Sequence, residues 1–154
     1  MGSSIFHLAA SSANNRPGGK HLALRDKNVQ IPWFGVRGMK WEQFDSMLYS
    51  KLGANAAPNY LVMHFGSNDL GIVPGLELFN RIICSFLRCK LLLPDSTIIY
   101  SDILPRLYWH SAKSASKIDA MRKDVNRKVK NFLKAEGGGS YKASDNYICG
   151  ETPI

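Results

Sequence analysis

Three short stretches of this chain gather hydroxyl, glycine and amide residues: Gly2-Ser3-Ser4, Gly35-Val36-Arg37-Gly38 and Gly66-Ser67-Asn68-Asp69. Together they hold the equipment of acyl transfer. A serine hydroxyl can attack a carbonyl carbon while a backbone N–H and a carboxamide NH₂ stabilise the oxyanion that develops. Loss of one such donor typically slows the reaction by about 10²–10³. Each stretch also has a plainer reading. Ser3 and Ser4 are good helix-capping residues, and Asn68 and Asp69 are good turn residues. The chemical reading requires the three corners to meet at one edge of a sheet.

The elements that must do this can be read in turn. Tyr60 to Phe65 is a short apolar run preceded by Pro58-Asn59 and closed by Gly66. It predicts a strand buried on both faces, as in a parallel sheet, and polar residues beyond the carboxyl end of such a strand lie where open α/β sheets bind ligands. Gly2 and the hydroxyls after it predict a turn into a short helix ending at Asn14-Asn15, with glycine free to take a positive φ. Asn28 to Val36 alternates around Val29, Ile31 and Trp33 with Pro32 inside, predicting a strand near a sheet edge.

The other elements are helical apart from one strand. Trp41, Phe44, Met47, Leu48 and Leu52 recur at helical spacing up to Gly53, a candidate C-terminal cap. From Pro74, a helix would turn Leu76, Phe79, Ile82, Ile83, Phe86 and Leu87 inward. Thr97 to Tyr100 reads as a β-branched strand. A last long helix would bury Ile118, Met121, Val125, Val129, Phe132 and Leu133, with Ser116 and Asp119 at capping-box spacing, and stop at Gly137-Gly-Gly139. Tyr141 could begin one more strand. Strands alternating with such helices indicate an α/β fold with a parallel sheet. The domain is placed at residues 1–139, followed by an irregular tail at 140–154.

Composition narrows the function. At 154 residues and 45% hydrophobic, the chain is the size of one domain able to hide roughly two-thirds of its unfolded surface. The net charge of +8 permits attraction to nucleic acid or to anionic membranes, without demanding either. Cys84, Cys89 and Cys149 lack metal or disulfide-framework spacing and read as reduced and mostly buried, so neither a metal nor any other cofactor is expected. No apolar run approaches the roughly 20 residues of a membrane span, and there is no signal-peptide pattern; a cytoplasmic protein is expected. His64 reads as a packed strand residue, His7 as a helix-surface residue and Trp33, Trp41 and Trp109 as core or groove. His110 is the one histidine placed where it could swing toward Ser4. Arg122, Lys123, Arg127, Lys128, Lys130 and Lys134 read as the polar side of the last helix.

The same blocks resemble the SGNH (GDSL-like) hydrolases. Gly2-Ser-Ser4-Ile5 looks like their first block with Ser3 where Asp is usual, Gly38 like the second-block glycine, and Gly66-Ser-Asn68-Asp69 like the third-block G-x-N-D. "RPGG", "GVRGMKW", "HFGSNDLG" and "IIYSDILPR" together resemble the SGNH-type domain of vertebrate retroelement-derived reading frames, from Gly2 to about Phe132.

The resemblance implies a three-layer α/β/α sandwich with a parallel sheet, flavodoxin-like. It implies Ser4 as nucleophile, the Ser4 and Gly38 N–H groups and the Asn68 side chain as oxyanion donors, and a small acyl ester as substrate. The general base would be a histidine of a C-terminal D-x-x-H block, and no histidine follows His110; Asp145 has none beside it. The family's first strand would precede Gly2. Truncation at both ends and an impaired esterase are the resulting expectations. The rival expectation is a non-catalytic remnant that binds nucleic acid or a protein partner through its basic last helix.

Overall fold

In a computed structural model, the structure describes residues 1–106, 108–109, 114–136 and 139–141. The chain divides into two compact units, Met1–Met39 and the residues from Lys40 on.

The first unit is built on helix α1, Ser4–Asn14. Its corner closes on a single bridge between Gly2 and Gly35, in which the Gly2 N–H donates to the Phe34 carbonyl at 2.8 Å and the Val36 N–H to the Gly2 carbonyl at 3.1 Å. This is all that forms of the strand expected over Asn28 to Val36. Pro32 has no N–H to give a ladder, the Ile31 N–H is taken by Nδ1 of His21 at 3.0 Å, and the Trp33 indole N–H donates to the Lys20 carbonyl at 2.7 Å. Gly2 keeps an ordinary φ, contrary to the expectation. A Cβ there would lie 2.5 Å from the Phe6 ring, and one at Gly35 would lie 2.3 Å from the His7 nitrogen. Both glycines serve close approach rather than left-handed backbone.

The second unit holds helices α2 (Phe44–Ala54), α3 (Gly75–Leu92) and α4 (Ala115–Ala135). Its parallel sheet comprises β1 (Tyr60–Met63), β2 (Thr97–Ser101) and β3 (Gly139–Tyr141), in the order β1-β2-β3. Tyr60 pairs with Thr97 and Met63 with Tyr100; Ile99 pairs with Gly139 and Ser101 with Tyr141. The expected α/β class with a parallel sheet is present. β1 is not uniformly buried: Leu61 and Met63 are, Val62 is half-buried and Tyr60 is exposed.

The core of this unit forms around Trp41, Phe44 and Phe65, whose ring centroids lie 5.3 to 5.7 Å apart. The Trp41 indole N–H donates to Ser85 Oγ at 2.9 Å, and this fixes the rotation of α3. The helix buries Leu78, Ile82, Ser85, Phe86 and Cys89, leaving Leu76 and Leu87 exposed. Ile82 and Phe86 turn inward as expected, while Leu78, Ser85 and Cys89 share the buried face. α3 and α4 pack together, with Phe86 edge-on to Phe132.

Two helix ends and one helix face also differ from expectation. α2 runs through Gly53, and its C-terminus is held by Asn55, whose Nδ2 donates to the Lys51 carbonyl at 2.8 Å. α4 starts at Ala115, and Asp119 pairs with Arg122 and Lys123 rather than forming a capping box with Ser116. Arg122, expected on the polar side, is buried: its Nε donates to Asp119 and its NH1 to the Ile103 carbonyl at 3.0 Å. α4 buries Ile118, Val125, Val129 and Leu133 as expected, together with Asn126. Cys89 is buried, whereas Cys84 is exposed.

Candidate active site

The Gly2 corner places Ser3 as the residue before α1 and Ser4 as its first residue, and the Ser3 side chain makes no capping bond. Capping therefore does not account for the pair. Ser3 is fully buried, and its Oγ has no hydrogen-bond partner among the described residues. Ser4 instead reaches across the loop: the Gly38 N–H donates to Ser4 Oγ at 3.3 Å, between residues 34 apart in the chain. Gly38 holds this position at φ +69° with open space where a Cβ would stand, a conformation that glycine adopts without strain. Nucleophile candidate and oxyanion-donor candidate are thus in contact. His7 is exposed on α1, and its ring makes no bond to Ser4.

The third block is organised within the second unit. Gly66 takes φ +100°, and a Cβ there would meet Ile103 Cδ1 at 2.8 Å. The Gly66 carbonyl then accepts the N–H groups of Asp69 and Leu70, and the Asp69 carbonyl those of Ile72 and Val73. Asp69 is fully buried. Both of its carboxylate oxygens accept the Trp41 backbone N–H, at 3.0 and 3.1 Å. Burial raises its pKa and the Trp41 N–H opposes that rise. Asp69 is therefore a structural brace between the G-x-N-D turn and the start of the Trp41 segment.

Asn68 is oriented by a residue for which sequence reasoning assigned no role. Arg106 donates from NH2 to Ser67 Oγ at 2.8 Å and to Asn68 Oδ1 at 3.2 Å, and its guanidinium lies 5.8 Å from the Trp109 ring centroid. With Oδ1 accepting, Nδ2 is the donor end of the Asn68 carboxamide, the polarity an oxyanion donor needs. The signal in the sequence was only the position of Arg106 in the "IIYSDILPR" block.

His64 follows β1 and is buried, with Nδ1 3.0 Å from Ser101 Oγ, the packed histidine expected. Burial, aided by the nearby Arg106 charge, pushes its pKa down to about 4. His110, Asp145 and Cys149 lie outside the described residues. Among the described residues no group of three or more His, Cys, Asp or Glu side chains is placed to hold a metal ion, and no helix is long and apolar enough to cross a membrane.

The fold has close counterparts among solved structures. A GDSL-like lipase from Bacteroides thetaiotaomicron superimposes with a TM-score of 0.67 at 17% identity, over 92% of this chain and 65% of its own. A member of the lipolytic G-D-S-L family from Veillonella parvula does so at 0.62 and 11% identity, over 90% of this chain and 73% of its own. The chain thus spans about two-thirds of the Bacteroides lipase. No family model and no curated protein matches the sequence. At these identities the likeness establishes the fold: the α/β architecture of GDSL-like hydrolases, as the resemblance of the sequence blocks implied.

Proposed function

We propose that this chain is an SGNH-type serine hydrolase domain acting on a small acyl or acetyl ester. Ser4 is the nucleophile, and the Ser4 and Gly38 N–H groups with the Asn68 carboxamide are the oxyanion donors. The observation that carries this reading is the Gly38 N–H on Ser4 Oγ. It joins the first and second blocks of the family pattern through the two groups that acyl transfer requires side by side. The fold likeness and the Arg106-oriented Asn68 support it. The likeness of the four blocks to the SGNH-type domain of retroelement-derived reading frames supports the same reading.

The general base is unassigned, since no histidine follows His110 in the 154 residues. Without a base to take its proton Ser4 is a weak nucleophile, so the proposed Ser4-dependent rate lies far below that of a complete triad. Hydrolysis of a short-chain p-nitrophenyl ester, compared between the chain and its Ser4→Ala variant, is the test. A rate that falls to background in the variant supports Ser4 as nucleophile; equal rates reject it.

The rival reading, nucleic-acid binding through α4, has fewer cations to draw on than the sequence indicated. Arg122 is buried, Lys123, Arg127 and Lys128 pair with Asp119 or Asp124, and Lys130 lies 3.4 Å from Asp102.

A further inference from the structure

Lys20, His21 and Arg25, with Asn28, Val29 and Gln30, line a cleft of about 560 Å³ in the first unit. Small-molecule sites have volumes of this order, and this one is open to solvent, with every lining residue exposed except the half-buried His21. The cleft is built by two successive 3₁₀ turns, Gly19–His21 and Arg25–Lys27. The chain then doubles back, so that the Val29 N–H bonds to the Leu24 carbonyl and the Ile31 N–H to His21 Nδ1. Lys20, His21 and Arg25 thus come from the two turns and Asn28 to Gln30 from the returning segment.

Two features set this cleft apart from an ordinary solvated loop. Leu22, Ala23 and Asn28 hold left-handed backbone at φ 52°, 58° and 57°, conformations that cost free energy in non-glycine residues and persist where surrounding contacts enforce them. The charge is also one-sided. Met1–Met39 contains Arg16, Lys20, Arg25, Lys27 and Arg37 against one carboxylate, Asp26, which does not line the cleft. Neither Lys20 nor Arg25 has an ion-pair partner among the described residues, unlike Lys123, Arg127 and Lys128 of α4.

We infer that this cleft binds a phosphate monoester of nucleotide size, at a site separate in kind from the hydrolase chemistry and independent of it. The Arg25 guanidinium offers the fork that matches phosphate oxygens and Lys20 a compact positive charge, together matching a dianion. His21 accepts at Nδ1, so its proton sits on Nε2 and makes that nitrogen a donor. The Asn28 and Gln30 amides and the Val29 side chain are suited to the uncharged remainder of the ligand.

The test is titration of the full chain with inorganic phosphate, adenosine 5′-monophosphate, adenosine and a short single-stranded oligonucleotide, followed by amide NMR. Saturable shifts at Lys20 to Gln30 with the monophosphate, absent with adenosine, are expected. Lys20→Glu with Arg25→Glu should weaken binding at least about tenfold, and the milder Lys20→Gln with Arg25→Gln by less, each with an otherwise unchanged spectrum. Lys123→Glu with Arg127→Glu on α4 should leave it unaltered. Tighter binding of the oligonucleotide through the same residues assigns the phosphate to a nucleic-acid chain, and equal or weaker binding to a free nucleotide. Adenosine binding as well as the monophosphate, no saturable shift with any phosphate, or equal weakening by the α4 substitutions would overturn the inference.

Discussion

The Arg106 guanidinium reaches Oδ1 of Asn68 at 3.2 Å across 38 residues of sequence, and the same nitrogen holds Ser67. A residue at the end of the β2 block thus fixes which end of a carboxamide donates. If Asn68 is an oxyanion donor, Asn68→Ala lowers the Ser4-dependent rate by about 10²–10³. Arg106→Ala, which releases the carboxamide without removing it, lowers the rate by an intermediate factor of about ten, in kcat more than in KM. Arg106→Lys restores part of the loss. Ester hydrolysis above the Ser4→Ala baseline measures all three, and an Arg106→Ala rate equal to that of the parent refutes the positioning role.

Asp69 carries no assigned chemistry but bonds the Trp41 backbone with both oxygens while fully buried. Asp69→Ala leaves that N–H without its acceptor and opens a small void, so urea unfolding should show a loss of about 2–4 kcal/mol. Asp69→Asn keeps an acceptor oxygen and removes a charge disfavoured by burial, so its loss should be under about half of that.

His64 predicts a pH slope. Its folded pKa is held down to about 4 against an ordinary 6.5, so between those values the unfolded chain binds the proton that the folded chain refuses. Stability therefore falls as pH drops from about 6.5 toward 4, by up to about 3 kcal/mol from this group, and is insensitive to it above 7. His64→Gln should flatten that part of a denaturation-versus-pH curve. An unchanged slope would show that the histidine is not the source.

Cysteine labelling checks the helix rotation directly. Burial pushes the Cys89 thiol up to about 12, whereas Cys84 is exposed on the same helix. Brief iodoacetamide treatment of the native protein, followed by peptide mass spectrometry, should modify Cys84 and spare Cys89 until denaturant is added. The reverse pattern would mean that α3 is turned the other way.

What could be read in advance follows from which forces are local. β1 and β2 announce themselves as short β-branched or apolar runs between Pro, Gly and Asp, and α1 by the glycine and hydroxyls at its start. Gly66 to Asp69 was legible as a turn, because a glycine and Asx residues after an apolar run have a local reason to bend the chain. The face of α3 was legible in part: Ile82 and Phe86 are buried as expected, Leu76 and Leu87 are exposed, and Ser85 is buried by a bond to a tryptophan 44 residues away. The Asn28 to Val36 segment alternates like a strand, yet its N–H groups go to His21 and Gly2 partners that no periodicity encodes. The basic stripe on α4 misled at Arg122, whose aliphatic stem tolerates burial once Asp119 and the Ile103 carbonyl take its donors. Arg106 was missed for the same reason: its partners lie one crossover earlier in the chain.

Every pairing within the sheet is parallel, joining Tyr60 to Thr97 and Ile99 to Gly139. Neither rung can zip from a tight hairpin, because a whole helix intervenes each time, and loop closure must precede any backbone reward. Refolding from denaturant should accordingly be limited by docking of α3 and α4, with helical signal returning before strand order, and a nascent chain can complete the sheet only after α4 has left the ribosome.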